Sequence, residues 1–214
     1  MDTTQKLSPT QPTGHATFAY QADAPAQQVD DDSGELRFEY SFSEASYMIG
    51  YSKAVLYLSC ADHDDMDVFV QLRKADQHGK ILQNFNIPIE DLNMTEAEVP
   101  SVNTMKYLGP SGIVRASHRE LDDELSTDHH PVLSHRTSKK ISPGTIVKLE
   151  IGLWPTSILF DKGEKLVLKI SGHHMMLAEF EPLRGKFSSL NKGQHVVHTG
   201  AEYQSMIQIP MVDM

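Results

Sequence analysis

Leu36-Arg37-Phe38-Glu39-Tyr40-Ser41-Phe42 decides how the chain is read. Apolar and aromatic side chains take every second position, with Arg37, Glu39 and Ser41 between them. A period of two places one set on each face of a half-buried β-strand. Strand patterns return in residues 53–60 (KAVLYLSC), 67–73 (DVFVQLR), 145–153 (TIVKLEIGL) and 165–171 (KLVLKIS). Residues 80–87, 113–118 and 204–212 read as further strands, and 16–21 as a short one. His78-Gly79 predicts a hairpin turn between 67–73 and 80–87.

Helix signals are confined to residues 88–108, where Thr95 and Glu98 have capping-box spacing. Pro100 limits that helix to a turn or two. Short strands spaced by Gly/Pro turns, with one short helical insertion, predict an all-β sandwich or jelly roll. Residues 1–34 read as a mostly irregular N-terminal segment, with a loop at 27–34 and mobility expected over 1–14. Residues 35–214 form the domain, with no internal repeat and no second boundary. Residues 120–145 are polar and irregular, a loop length that usually serves a function. Residues 172–194 read as a second loop.

The chain has 214 residues, enough for one large domain. Asp and Glu number 29 against 19 Lys and Arg, a net charge of -10. Such a balance repels phosphate backbones and speaks against nucleic acid. No apolar run reaches the roughly 20 residues of a membrane helix. The N-terminus lacks the apolar stretch of a secretory signal. The single cysteine, Cys60, has no internal disulfide partner. Together these predict a cytoplasmic protein.

No familiar catalytic pattern stands out. Gly50-Tyr51-Ser52-Lys53-Ala54 lacks the second glycine of a nucleophile elbow and opens a strand, so Ser52 is not read as a nucleophile. Cys60 sits among apolar residues and reads as packing, although His63 is close in sequence. The turn Asp62-His63-Asp64-Asp65-Met66-Asp67 is rich in oxygen donors but lacks the glycine and distal Glu of a calcium loop. The histidines His129-His130, His173-His174 and His195 with His198 read as exposed loop groups rather than zinc ligands. No metal and no cofactor are expected.

Arg115-Ala116-Ser117-His118-Arg119 is more informative. On a strand, Arg115, Ser117 and Arg119 share a face. Two guanidiniums there predict ion pairs with Asp65 and Asp67, with an anion-binding role for Arg115 as the alternative. Trp154-Pro155 ends a predicted strand. Trp154 is either buried packing or a stacking platform for a ring, and with Arg115 it is a candidate ligand-binding residue.

Several segments recur in a recognisable order: Gly50-Tyr51-Ser52, residues 65–72 (DMDVFVQL), Gly79, residues 112–119 (GIVRASHR), residues 147–153, Trp154-Pro155-Thr156, Phe160 with Gly163, and residues 166–171. The series resembles the C-terminal domain of the X-Pro dipeptidyl-peptidase, cocaine esterase and related acyl-hydrolase family, over residues 35–212. That resemblance implies a jelly-roll, galactose-binding-like β-sandwich. It also implies that the Ser, Asp and His of the family's triad lie in a separate α/β-hydrolase domain, so no catalytic residue carries over. In the family the sandwich packs on the hydrolase and helps wall the substrate entrance. Met1 and a terminal strand read as a complete frame, with a truncated product as the alternative.

Three roles follow. The first is a non-catalytic module that binds a small-molecule ligand or an α/β-hydrolase partner in trans. The second is a repurposed isomerase, cyclase or dehydratase of secondary metabolism. It would use His118, Arg119, His129, His130, His173 and His174, which are expected to meet at loop ends. The third is a hydrolase fragment without a role. The sequence leaves the oligomeric state open.

Overall fold

Alternating apolar positions put much of the chain into strands. The structure, a computed structural model, describes residues 5–25, 34–86, 88–99, 106–175 and 189–212. The strands are β1 (Gln5–Lys6), β2 (Ala16–Gln21), β3 (Glu35–Ser41), β4 (Ser46–Cys60), β5 (Asp67–Ala75), β6 (Asn84–Phe85) and β7 (Lys106–Tyr107). They continue as β8 (Ser111–Arg115), β9 (Val147–Phe160), β10 (Lys165–Ser171), β11 (Gln194–Thr199), β12 (Met206–Gln208) and β13 (Met211–Val212).

Two sheets form a β-sandwich. The first runs in the order β1-β3-β10-β5-β8. The second is built on β4: β9 lies along one edge, while β11, β12 and β13 share the other. β2 lies outside β11. The first sheet sends Val68, Val70, Leu72, Leu166, Leu168 and Ile170 into the core, where they meet Leu56, Leu58, Leu149, Ile151 and Val197 of the second. Each such side chain contributes roughly 1.5–3 kcal/mol through removal from water. Phe42 and Phe160 stack at one end, their centroids 4.4 Å apart.

The sheets nearly touch where β8 meets β9. A Cβ on Gly112 would overlap the carbonyl oxygen of Gly152 and crowd Ile151. Only glycine lets the two backbones approach this closely.

Some elements differ from the sequence reading. The expected hairpin after β5 is reduced to a single bridge, Ala75 to Ile81. β5 already has β10 on one side and β8 on the other, so no edge is left for a full partner. The helical patch consists of two 3-10 turns, Ile89–Leu92 and Glu96–Glu98. Asn93 adopts a left-handed conformation and ends the first. Thr95 donates its N–H and hydroxyl to Glu98, at 2.7 and 2.8 Å. Residues 5–25 are more regular than expected, since β1 pairs with β3 and β2 with β11. The closing strand is split at Pro210 into β12 and β13, both on β4. The predicted loop at 27–33, residues 1–4, Pro100, and residues 176–188 of the second loop lie outside the described residues.

Gly112→Ala should lower unfolding stability by about 2 kcal/mol through forced separation of the edges. Urea unfolding checks this; unchanged stability would show that β8 and β9 do not meet as described.

Candidate functional site

The pairing of β4 with β9 holds the first feature. Gly50 pairs with Thr156 and Ser52 with Leu153, so Tyr51 alone faces both Trp154 and Pro155. This is a β-bulge, which tolerates a proline that a regular central strand would not. Before it, Leu149, Ile151 and Leu153 point inward; after it, Ile158 and Phe160 do. Trp154 therefore does not end a strand, as the sequence suggested. It projects from the middle of one and is 74% exposed.

The 120–145 loop supplies the opposite wall. It is a cross-bonded arm: Leu121 bridges to Leu133, and Ser134 donates its N–H to Glu120. Asp122 accepts from the backbone of Glu124 and Leu125 and pairs with Arg136 at 2.7 Å. The arm sets His130 edge-on to Tyr51, with centroids 4.7 Å apart, and His129 2.7 Å from Gln208. Between arm and bulge lies a groove of about 340 Å³, lined among others by Tyr51, His130, Pro131, Gly152 and Trp154. Glu150 also faces it, with one carboxylate oxygen 3.1 Å from Lys53 and the other 2.6 Å from Lys148. The Lys148 and Lys53 contacts hold that carboxyl below its usual range against the opposing effect of burial.

The acidic turn is the second feature. Arg115 forks onto Asp67, with Nε 2.7 Å from one oxygen and Nη2 2.9 Å from the other. Asp67 also accepts the Leu190 N–H. Asn191, which sequence reading missed, accepts the Asp67 N–H and donates to the carbonyls of Asp67 and Gly172. Its only signal would have been an asparagine just before the strand of Gln194. Arg119 does not reach Asp65. The chain leaves the strand at Arg115 for a 3-10 turn, Ala116–His118. Arg119 is thereby turned onto the carbonyls of Ala116 and Lys139. Asp65 instead accepts the backbone N–H groups of Met66 and Ser117 and an ion pair from Lys140. Burial works against its charge, but the bonds from Ser117 and Lys140 prevail and hold its pKa down. Arg115 and Trp154, the two candidate ligand residues, occupy different places.

The six proposed catalytic residues do not converge. His129 and His130 lie on the arm over the second sheet, and His118 and Arg119 in and after the 3-10 turn. His173, at the end of β10, is buried 3.1 Å from Glu35, which pairs with Lys169 at 2.6 Å. His174 lies against Phe69. Cys60 donates to the Lys192 carbonyl, and the buried Ser52 hydroxyl has no hydrogen-bond partner among the described residues. Among the described residues, no three His, Cys, Asp or Glu side chains are grouped as metal ligands. No described helix is long and apolar enough to cross a membrane.

One serine does meet a histidine. Ser59 Oγ lies 2.8 Å from His198 Nε2, and His198 Nδ1 lies 3.2 Å from His15 Nε2. Both Ser59 and His198 are buried. Ser59 sits inside the β4–β11 pairing, whose backbone N–H groups are committed to the ladder, so none is aimed at a developing oxyanion. The chain of contacts straps the segment before β2 to the sheet. A further histidine, His195, lies in the core 2.9 Å from the Tyr20 hydroxyl. Burial pushes its imidazole down from 6.5 to about 4, and it pushes the Tyr20 phenol up. The neutral pair is the form the core accepts.

In form, the described residues make a two-sheet β-sandwich with a cross-bonded arm. The chain belongs to the X-Pro dipeptidyl-peptidase C-terminal non-catalytic domain family, whose model matches residues 1–208. Among solved structures it is similar to a CocE/NonD family hydrolase from Staphylococcus aureus, with 27% identity and a TM-score of 0.79. That match covers 98% of this chain and 34% of the hydrolase. A second structure of that hydrolase gives 28% identity, a TM-score of 0.80, and coverage of 97% and 35%. An aminopeptidase from a marine sediment Thaumarchaeota archaeon shares the fold at 17% identity and a TM-score of 0.59, over 97% of this chain and 35% of that one. The chain thus spans about a third of the proteins it matches. No curated relative matches it.

The hub at Asp67 should be asymmetric. Asp67 is 11% exposed at the side chain and Arg115 41%. Asp67→Ala should cost about 3 kcal/mol, because it strands Arg115 and the Leu190 N–H. Arg115→Ala should cost about 1 kcal/mol. Equal losses in urea unfolding would contradict this arrangement.

His195 makes stability depend on pH. Between about pH 6.5 and 4 the unfolded chain binds a proton at His195 that the folded chain refuses. Stability should therefore fall as pH drops through that window, by on the order of 3 kcal/mol in full. His195→Gln keeps an acceptor for Tyr20 and should flatten the profile. A wild-type curve as flat as the variant's would overturn the assignment.

Proposed function

We propose that the chain is an accessory module of a hydrolase, working against an α/β-hydrolase domain that carries the nucleophile. The observation that carries this reading is the coverage: nearly all of the chain aligns with about a third of a CocE/NonD family hydrolase. The sandwich, in the jelly-roll form the family resemblance implies, then contributes walls and contacts rather than chemistry. In this reading the partner is supplied in trans, in the cytoplasm and without nucleic acid. Supporting this reading, Ile49, Leu159 and Val212 are exposed on one face at one end of the second sheet, along β4, β9 and β13. Neighbouring exposed apolar side chains are characteristic of binding surfaces. The alternative of a repurposed isomerase, cyclase or dehydratase has less support, because its six candidate residues are dispersed.

Sedimentation of the chain with α/β-hydrolases encoded beside its gene tests the proposal. A one-to-one complex and a rise in hydrolase activity are expected. Ile49→Ser combined with Leu159→Ser should weaken the complex at least about tenfold. A chain that sediments alone with each candidate and leaves its activity unchanged would refute the partner.

A further inference from the structure

The groove between the bulge and the arm is separate from the end patch assigned to the hydrolase, and its construction narrows what it can hold. Its rings come from two sides. The bulge turns Trp154 outward and sets Tyr51 across from it, while the arm holds His130 edge-on to Tyr51 at 4.7 Å. The Trp154 indole has no ring contact or hydrogen bond within the described residues, although it is the single tryptophan of the chain. Gly152 carries no side chain, and the Pro131 ring packs over it: a Cβ there would meet that ring at 3.4 Å. The open face is therefore the one beside Trp154 and Tyr51, whose side chains are exposed.

Charge narrows the class further. Among the described lining residues Glu150 is the one carboxylate, and Lys53 and Lys148 each hold one of its oxygens. The rest of the lining includes Ile113, Leu133, Leu153 and Pro155, which offer no side-chain hydrogen bond. A pyranose would leave most of its hydroxyls facing apolar carbon, at a cost for each unpaired group. A cation would find the carboxylate already neutralised. A volume of about 340 Å³ is at the small end of ligand pockets and suits one ring with a short substituent. The unused indole N–H can donate to an acceptor on that substituent.

We propose that this groove is a binding site for a small uncharged aryl compound bearing a carbonyl acceptor. The ring lies against Trp154 and the Tyr51–His130 pair, in offset or edge-to-face contact. The arm is pre-bonded through Asp122, Ser126 and Glu120, so the site is formed before the ligand arrives. The inference is independent of any hydrolase partner, since every wall belongs to this chain.

Trp154 is its own reporter. Benzamide titrated into the intact chain should give a saturable change in tryptophan fluorescence. It should also reduce quenching by acrylamide. Cyclohexanecarboxamide, matched in size but without a π-face, should bind at least about fivefold more weakly. Methyl β-D-galactopyranoside should give no saturable change. Tyr51→Ala should weaken benzamide about fivefold. His130→Ala, which removes the ring held edge-on to Tyr51, should do the same, with far-UV circular dichroism unchanged in both. Two results would overturn the proposal: no saturable response to benzamide with the fold intact, or a response that the galactoside or the saturated ring matches. Binding that survives both substitutions would place the ligand elsewhere and equally overturn it. Failure of the hydrolase to associate would leave these readouts unaffected.

Discussion

The long pairing of β4 with β9 is the constraint on which the rest of the sandwich depends. A strand with a strict period of two keeps one set of side chains inward along its whole length. Along β9 that set would be Leu149, Ile151, Leu153, Pro155, Ser157 and Leu159. The inward residues beyond Leu153 are instead Ile158 and Phe160. One extra residue at Trp154-Pro155 resolves the conflict by shifting the phase. Phe160 then reaches Phe42 and closes the end of the core. Because the shift happens in the middle of the strand, it also leaves a tryptophan outside, and a groove beside it. Packing and site are thus two results of one insertion.

The same insertion marks where sequence reading stops working. β3 and β10 are legible because each keeps a single phase from end to end. β9 is legible to Leu153 and then misleads, since a proline after a tryptophan looks like the end of a strand. The run of Arg115, Ser117 and Arg119 fails for a related reason. A period-two argument assumes that the strand continues, and here it gives way to a 3-10 turn as the Ser117 N–H is drawn to Asp65 at 2.8 Å. Nothing in residues 115–119 announces that partner, 52 positions away. The pairing of Arg115 with Asp67 was legible because both residues lie within regular strands whose register brings them opposite each other.

The acidic turn shows how satisfied charges remove a function that composition hints at. Asp65 and Asp67 are mostly withdrawn from water, yet neither is left to seek a cation. Backbone N–H groups, Arg115 and Lys140 occupy their oxygens, and Asn191 ties the turn to the strand behind it. Buried carboxylates paired in this way fix geometry rather than offer ligands. Glu35, between Lys169 and His173, repeats the arrangement across β3 and β10.

The histidines carry the argument about chemistry one step further. General acid–base catalysis needs a titrating group within reach of both a reacting atom and an orienting partner. His195 is buried and kept neutral beside a phenol; His173 is buried against Glu35 and Lys169; His198 is engaged by Ser59 and His15. Each is used up in holding two segments together. His130 differs, because its ring is exposed and rests on Tyr51 at the rim of the groove. The sandwich has spent its interior imidazoles on structure and left at its surface a histidine positioned by stacking. The interior imidazoles thus hold segments together, and the one beside the groove is held by a ring contact instead.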